Sequence, residues 1–547
     1  KGGIITTLGT GAAFTLDDIQ KGYLKYTHNG SEPHLNSPPF KDGFDFTISD
    51  ASGMTEPPGH FVINLTALND APTLTPTFFG TTAYVEDGVP VAVGATVLFS
   101  DPDLNSPDGV TPTLAGGTLE ITIADLQAGD LLSVIHTGTG PGQIGVSGTD
   151  ISYASTVIGT IDGVRNGTGG QPLLITFNDH VTSDVVVQAL IRAIAFSNSD
   201  TANPTTPDRN LTIVYDADGA GADATQKITG TATVSVARAN DAPTLAVATV
   251  DLANDGYTLN EDSNANGGIL VSTFVAAGSS TAGRQSGISD VDIDNMPAQS
   301  SKIGIAVTAA TTANGHWEYA LDNGSGGYDT WQTLTGTADS AARLLRPIDK
   351  VRFIPDTLNG TTATFNYRAW DQFSGAAGET ANTGSNGGTT AFSSATDSAS
   401  IIITPVNDAP TGLGNTTLPT IYEDNQSAPG LAIAALVGLD FQDVDSGASL
   451  YGIAVVGNTA NAGTQGAWQY SSDGTSWRVI GSVDDTSNAL VLAASTRVRF
   501  VPVADYNGQP PALTTRALDN TYGGGGSTWD GATEMRVTLA TSAGSRG

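Results

Sequence analysis

Acidic side chains recur along this chain in matched sets, and each set holds the oxygen donors that a hard cation takes. The first set is Glu86, Asp87, Asp101, Asp103, Asp216 and Asp218. The second is Glu261, Asp262, Asp290, Asp292, Asp294 and Asp371, and the third is Glu423, Asp424, Asp440, Asp443, Asp445 and Asp519. Asp50 alone represents the segment before them. Each full set joins a Glu-Asp pair, a cluster of closely spaced aspartates, and an Asp at the end of an alternating apolar run. Like charges gathered in one loop repel, and burial raises the cost of ionising them. A divalent cation turns that repulsion into binding. Ca²⁺ suits an irregular oxygen set because it accepts many oxygen ligands in loose geometry, whereas Mg²⁺ demands a near-ideal octahedron. Zn²⁺ prefers His or Cys, and the chain has 6 scattered His and no Cys. An isolated Asp-x-Asp reads first as a turn whose carboxylates bond their own backbone. Repetition in register favours the metal.

The elements that must position these acids are organised around one phrase. Asn69-Asp70-Ala71-Pro72-Thr73 returns as Asn240-Asp241-Ala242-Pro243-Thr244 and as Asn407-Asp408-Ala409-Pro410-Thr411. The intervals are 171 residues (69 to 240) and 167 residues (240 to 407). Each copy follows an alternating apolar run, so a strand ends, a stiff acidic joint follows, and a new module opens. Proline fixes its own φ and biases the residue before it toward extended geometry. Such a spacing is the signature of a tandem array. It divides the chain into 1–70, 71–241, 242–408 and 409–547, here called modules one to four. The first residues already read as mid-module sequence, so a fragment or processed piece of a longer chain is expected.

The totals narrow the function classes. Formal net charge is −33 over 547 residues, which argues against nucleic acid or an anionic membrane as partner, since both need basic patches. No apolar run is long enough to span a bilayer. Without cysteine there are no disulfides, and bound metal is the obvious alternative source of rigidity.

Along the chain the periodicity is that of strands. Module one predicts a helical turn at Asp17-Asp18-Ile19-Gln20 capped by Thr15 with Asp18 reciprocating. A strand at Tyr23–Tyr26, a polar loop from His28 to Pro39, and strands at Phe44–Ile48 and Phe61–Leu65 follow. Module two predicts strands within 89–99, at 119–123 and at 173–177, and a hairpin over 150–161. It also predicts one short helix over 183–194, with Val186, Ala189, Leu190, Ala193 and Ile194 on one face. Modules three and four are the most alike. Trp317-Glu318-Tyr319 parallels Trp468-Gln469-Tyr470, Trp331 parallels Trp477, and Val351-Arg352-Phe353-Ile354-Pro355 parallels Val498-Arg499-Phe500-Val501-Pro502. Asn359-Gly360 parallels Asn507-Gly508. Residues 375–396, rich in Gly, Ser and Thr, read as a flexible loop with no apolar face. Two packed antiparallel sheets per module are the physical default for this pattern.

No catalytic constellation is visible. His28 and His34 have no nucleophile beside them, and the glycines at 324, 326 and 327 lack the Lys-Ser/Thr ending and following helix of a phosphate loop. The four paired tryptophans are expected in the core or packed on turns, with a sugar-stacking platform as the alternative. Arg352 and Arg499 are expected to point outward and pair with local acids.

The joint phrase, the Glu-Asp pair, the Asp-x-Asp and the strand-end Asp resemble those of cadherin and bacterial cadherin-like tandem domains. Residues 14–19, 26–32 and 44–46 resemble the NG2-type chondroitin-sulfate-proteoglycan repeat, and modules two to four resemble units of very long bacterial surface adhesins. The resemblance implies an all-β array of tandem Ig-like or cadherin-like β-sandwich modules joined by short acidic linkers, with Ca²⁺ at each junction. It assigns Asp50, Asn69, Asp70, Glu86, Asp101 and Asp103 to the first joint. The second receives Asp216, Asp218, Asn240, Asp241, Glu261, Asp290 and Asp292, and the third Asp371, Asn407, Asp408, Glu423, Asp443 and Asp445. It further implies an extracellular, bacterial cell-surface location and a mechanical, non-enzymatic role as the stalk of an adhesin or surface fibre. The implied partners are neighbouring repeats, further copies of the chain, and a glycan or surface receptor. A self-assembling filament or lattice subunit and a glycan-binding module are the alternatives.

Overall fold

The computed structural model describes residues 7–27, 40–65, 70–104, 114–218, 226–246, 250–275, 287–294, 303–412, 414–527 and 534–539. It divides into two compact units, Lys1–Ala239 and Asn240–Gly547, parted at the second Asn-Asp joint. The fold is all-β, in tandem sandwich modules linked by short acidic segments.

In the first unit the helical turn Leu16–Gln20 carries the expected capping box between Thr15 and Asp18. Strands Phe40–Phe46 and Gly59–Leu65 pair antiparallel. Residues 23–26 form no strand; the alternation there finds no ladder partner among the described residues. The 28–39 loop lies outside them.

Module two packs an eight-stranded sheet against a three-stranded one. The larger sheet runs Phe78–Val85, Lys227–Ala237, Arg209–Asp216, Thr118–Ile123, Leu173–Phe177, Thr156–Asn166, Asp150–Tyr153, Ile144–Ser147. The smaller runs Val91–Ala92, Ile194–Asn198, Asp130–Val134. Period-two side chains Leu119 and Ile121, Leu173 and Ile175, and Leu211 and Ile213 meet Leu132, Ile194 and Phe196 in one core. Each such burial contributes about 1.5–3 kcal/mol. The predicted helix forms as Asp184–Ala193, burying Val186, Val187, Leu190, Ile191 and Ala193. Tertiary burial overrides the strand preference of its three consecutive valines.

The second unit holds two sandwiches of shared topology. In module three, Val250–Asp251, Asp397–Thr404, Thr361–Trp370, Gly304–Ala310, Ala342–Leu345 and Thr380–Ala381 form one sheet. Ile269–Leu270, Lys350–Pro355, Gly315–Ala320 and Gln332–Thr333 form the other. In module four the corresponding sheets are Leu513–Asp519, Leu450–Asn458, Ala489–Ala493, Arg536–Val537 and Leu431–Ala432, Arg497–Pro502, Gly466–Ser471, Arg478–Val479. Trp317 is 1% exposed in the module three core. Trp331 and Trp477 lie under the guanidinium groups of Arg352 and Arg499, at 4.1 and 4.0 Å. Arg352 pairs with Glu318 at 2.6 Å as expected, whereas Arg499 bonds the neutral Gln469 at 2.7 Å.

Two further expectations change. Residues 375–396 are an ordered part of module three. Ala391 and Phe392 are buried in a small cluster with Leu344 and Trp370. Arg368 Nη1 donates to Ser394 O at 2.6 Å. A polar composition concealed two apolar anchors. The sheets are also not wholly antiparallel. Phe78–Val85 runs parallel to Lys227–Ala237, and Leu259–Asn260 runs parallel to Asp397–Thr404. No helix among the described residues is long and apolar enough to cross a membrane.

Candidate metal centre at the joint of modules three and four

Two strand pairings bring the acids together. The first opens each module. Thr73 pairs with Ser100, Thr244 with Ser289, and Gly412 bridges Gln442. The joint threonine adds a side-chain bond each time: Thr73 Oγ1 to Ser100 O at 3.3 Å, Thr244 Oγ1 to Ser289 O at 3.2 Å, Thr411 Oγ1 to Gln442 O at 3.4 Å. The paired residue immediately precedes an aspartate, Asp101, Asp290 or Asp443, so the joint is carried onto the acidic cluster.

At the third joint Asp408 N–H donates to Asp445 Oδ2 at 2.8 Å, and Asp445 N–H to Asp443 Oδ1 at 2.9 Å. Asn407 Nδ2 donates to Asp408 O at 3.1 Å and to Asp519 Oδ2 at 3.2 Å. The second joint repeats this arrangement. Asp241 N–H donates to Asp292 Oδ2 at 2.8 Å, Asp292 N–H to Asp290 Oδ1 at 2.9 Å, and Asn240 Nδ2 to Asp371 Oδ2 at 2.9 Å.

The second pairing is the parallel one, and it moves the glutamates. Leu259 and Asn260 lie opposite Ile403 and Thr404, so Glu261 arrives where module three ends. Its N–H donates to Thr404 O at 3.1 Å, and its Oε1 accepts from Val406 N–H at 2.6 Å. Glu86 does the same in module two, donating to Ala237 O at 2.9 Å and accepting from Ala239 N–H at 3.0 Å. Each Glu therefore stands at the far end of its module, one joint later than the order of residues suggests. Glu261 belongs with Asn407-Asp408 rather than with Asn240-Asp241. The strand-end aspartates shift the other way: Asp371 bonds Asn240, and Asp519 takes the place at the third joint that had been expected of Asp371. Asp519 is the residue that the joint-by-joint assignment missed. Its signal was its position at the end of an alternating run, matching Asp371.

The result is a three-carboxylate cluster. Ligand oxygens of Glu261, Asp408 and Asp445 all lie within 4.8 Å of one another. Glu261 is 0% exposed, and the other two are half-buried. Two unit charges at that separation repel by about 3.5 kcal/mol at an effective dielectric of about 20. Burial first, then Asp445 and Asp443, pushes the Asp408 carboxyl above its usual 3.8. Burial, and Asp292 nearby, raise Asp371 likewise. Asp443 Oδ2 is buried with no hydrogen-bond partner. Clustered oxygens, mutual repulsion and a spare lone pair fit a hard divalent cation, and Ca²⁺ above others.

Other expected ligands are placed differently. Asp50 is exposed and caps its own turn, with Oδ1 accepting from Ser52 N–H at 2.8 Å and Met54 N–H at 3.0 Å. The Ser52 hydroxyl first, then the Met54 N–H, hold its carboxyl below 3.8. Asp101 is buried, donating its N–H to Asp184 Oδ1 at 3.0 Å and accepting from the Tyr215 hydroxyl at 3.1 Å. Asp216 pairs with Lys227 at 2.9 Å. Asp103 lies in the turn Pro102–Leu104. Asp70, Asp218 and Glu423 are exposed, and Asn69 falls outside the described residues.

No protein-family model matches the chain, and neither does any curated protein. Solved structures of cadherin repeats do. Mouse cadherin-23 EC22-24 matches at 11% identity over 82% of this chain and 98% of that one, with TM-score 0.29. Mouse protocadherin-24 EC1-3 matches at 13% identity over 68% of this chain and 81% of that one, with TM-score 0.24. The zebrafish RET cadherin-like domains 1 to 4 match at 9% identity over 66% of this chain and 56% of that one, with TM-score 0.17.

Proposed function

We propose that the chain is a calcium-stiffened segment of an extracellular stalk, part of a bacterial adhesin or surface fibre, whose work is mechanical. The observation that carries this reading is the convergence of Glu261 from the end of module three, Asp408 from the linker and Asp445 from the start of module four. These three residues, with Asp443 beside them, would hold the ion. Bound Ca²⁺ supplies positive charge that cancels their repulsion. Glu261 already fixes the linker backbone through Val406 N–H, and Asp445 fixes it through Asp408 N–H. A shared ion therefore ties both modules to one short segment and removes hinge freedom. A net charge of −33 adds long-range repulsion that divalent ions would screen.

The glycan-platform alternative has less support. Trp317 is buried, Trp331 and Trp477 are covered by arginines, and Trp468 is half-buried, which leaves no bare pair among these four indoles. The test is small-angle scattering of the chain in millimolar calcium and in chelator. The proposal expects a longer, narrower distance distribution with calcium. Superimposable curves would overturn it.

A further inference from the structure

The joint of modules three and four has a contact that no carboxylate makes. Asn359, in the turn before strand Thr361–Trp370, reaches across from module three. Its Nδ2 donates to Val444 O at 2.9 Å, and its Oδ1 accepts from Ser446 N–H at 2.7 Å. Val444 and Ser446 flank Asp445, so one amide grips the backbone on both sides of a candidate ligand. Donor meets carbonyl and acceptor meets N–H, which sets the amide orientation unambiguously.

The turn does not need this side chain to hold its shape. Asn314 Nδ2 bonds the turn's own carbonyls, Asn359 O at 3.4 Å and Gly360 O at 3.2 Å. Module four contains the same turn, and among the described residues its Asn507 makes no such contact. Thr357 and Asp505, two residues before Asn359 and Asn507, both adopt positive φ, 66° and 61°, and Asn507 is exposed. The chain thus carries one engaged and one exposed copy of a single device.

We propose that Asn359 is a positioning residue, an amide latch by which module three shapes the Asp443–Asp445 loop of module four and couples cation affinity to the angle between the two modules. A loop of like charges tends to spread. The latch opposes that from the neighbouring module, so the ligands are pre-arranged only while the modules keep their mutual orientation. Calcium binding and orientation then stabilise one another, as linkage requires. The inference rests on the calcium reading above.

The test uses the whole chain, whose lack of cysteine permits paired spin labels at Ser325→Cys and Ala462→Cys. Calcium titrations and label distances are compared for the wild type, Asn359→Ala and Asn507→Ala. Asn359→Ala is expected to weaken calcium binding at this joint by about ten- to a hundredfold, the usual effect of losing a partner that orients a ligand, and to broaden the distance distribution. Asn507→Ala is expected to leave both at wild-type values, which separates the latch from the turn. Wild-type affinity and distances in Asn359→Ala, in a chain that binds calcium, would overturn the latch alone. A wild-type chain that takes up no calcium would overturn the latch and the calcium reading together.

Discussion

Replacing Glu261 by Gln should stabilise the joint in chelator, and calcium should take back part of that advantage. Glu261 Oε1 accepts from Val406 N–H at 2.6 Å, and a glutamine oxygen keeps that bond while deleting the charge. In chelator the substitution removes two like-charge repulsions, to Asp408 and Asp445, within 4.8 Å. Each is about 3.5 kcal/mol at a dielectric of about 20, and solvent at the half-buried partners reduces the sum. A gain on the order of 1–3 kcal/mol in local stability is expected without metal. With calcium the advantage of the variant narrows by about 1.3 kcal/mol. At about 100 times the wild-type Kd the ion stabilises the wild type by about 2.7 kcal/mol, and a variant with tenfold weaker affinity keeps only about 1.4 kcal/mol. Hydrogen exchange of peptides covering 404–412 and 440–448 reports these local opening energies without assuming whole-chain two-state unfolding. Equal protection of the two proteins in chelator, or an equal calcium increment in both, would refute the electrostatic argument.

Three further outcomes follow from the same structure. Arg209 and Asp130 form a 2.9 Å ion pair with both side chains fully buried. Arg209→Met should therefore destabilise module two by about 3–5 kcal/mol, because it strands a buried charge; Asp130→Asn together with Arg209→Met should recover part of the loss in denaturant melts. Phe392→Ala should release residues 375–396, with their edge strand Thr380–Ala381, to limited proteolysis at a cost of about 3–5 kcal/mol, while the other strands of module three stay folded by circular dichroism. The Ser487 N–H, then the Thr486 hydroxyl and N–H, depress the Asp484 carboxyl from 3.8 to about 2. The folded state then holds fewer protons than the unfolded one, so this contribution is full above 3.8 and is lost as pH falls through about 2. Melting temperatures of Asp484→Asn and wild type should differ near neutral pH and converge toward pH 2.

The features legible in the sequence were the local ones. Each of the three Asn-Asp-Ala-Pro-Thr copies leads into a strand or bridge beside an acidic cluster, a local signal, since proline and a following alternation act within a few residues. The helix at Asp184–Ala193 followed from its 3.6-residue spacing, and the Thr15–Asp18 box from its spacing of three. What stayed hidden was long-range pairing. Nothing near Glu261 reveals that Leu259 lies beside Ile403, a contact across most of module three. That single parallel register moves the glutamate from one joint to the next. Composition also misled at 375–396, where Phe392 and Ala391 outweigh a run of small polar residues. Asn359 stood out in the sequence only as the parallel of Asn507, because its partners, Val444 and Ser446, belong to another module.

The most direct measurement is a crystallographic map of the chain grown in calcium, with anomalous differences collected to identify the ion. The account predicts an anomalous peak coordinated together by Glu261, Asp408 and Asp445. Density for water alone among those three carboxylates, in millimolar calcium, would contradict it.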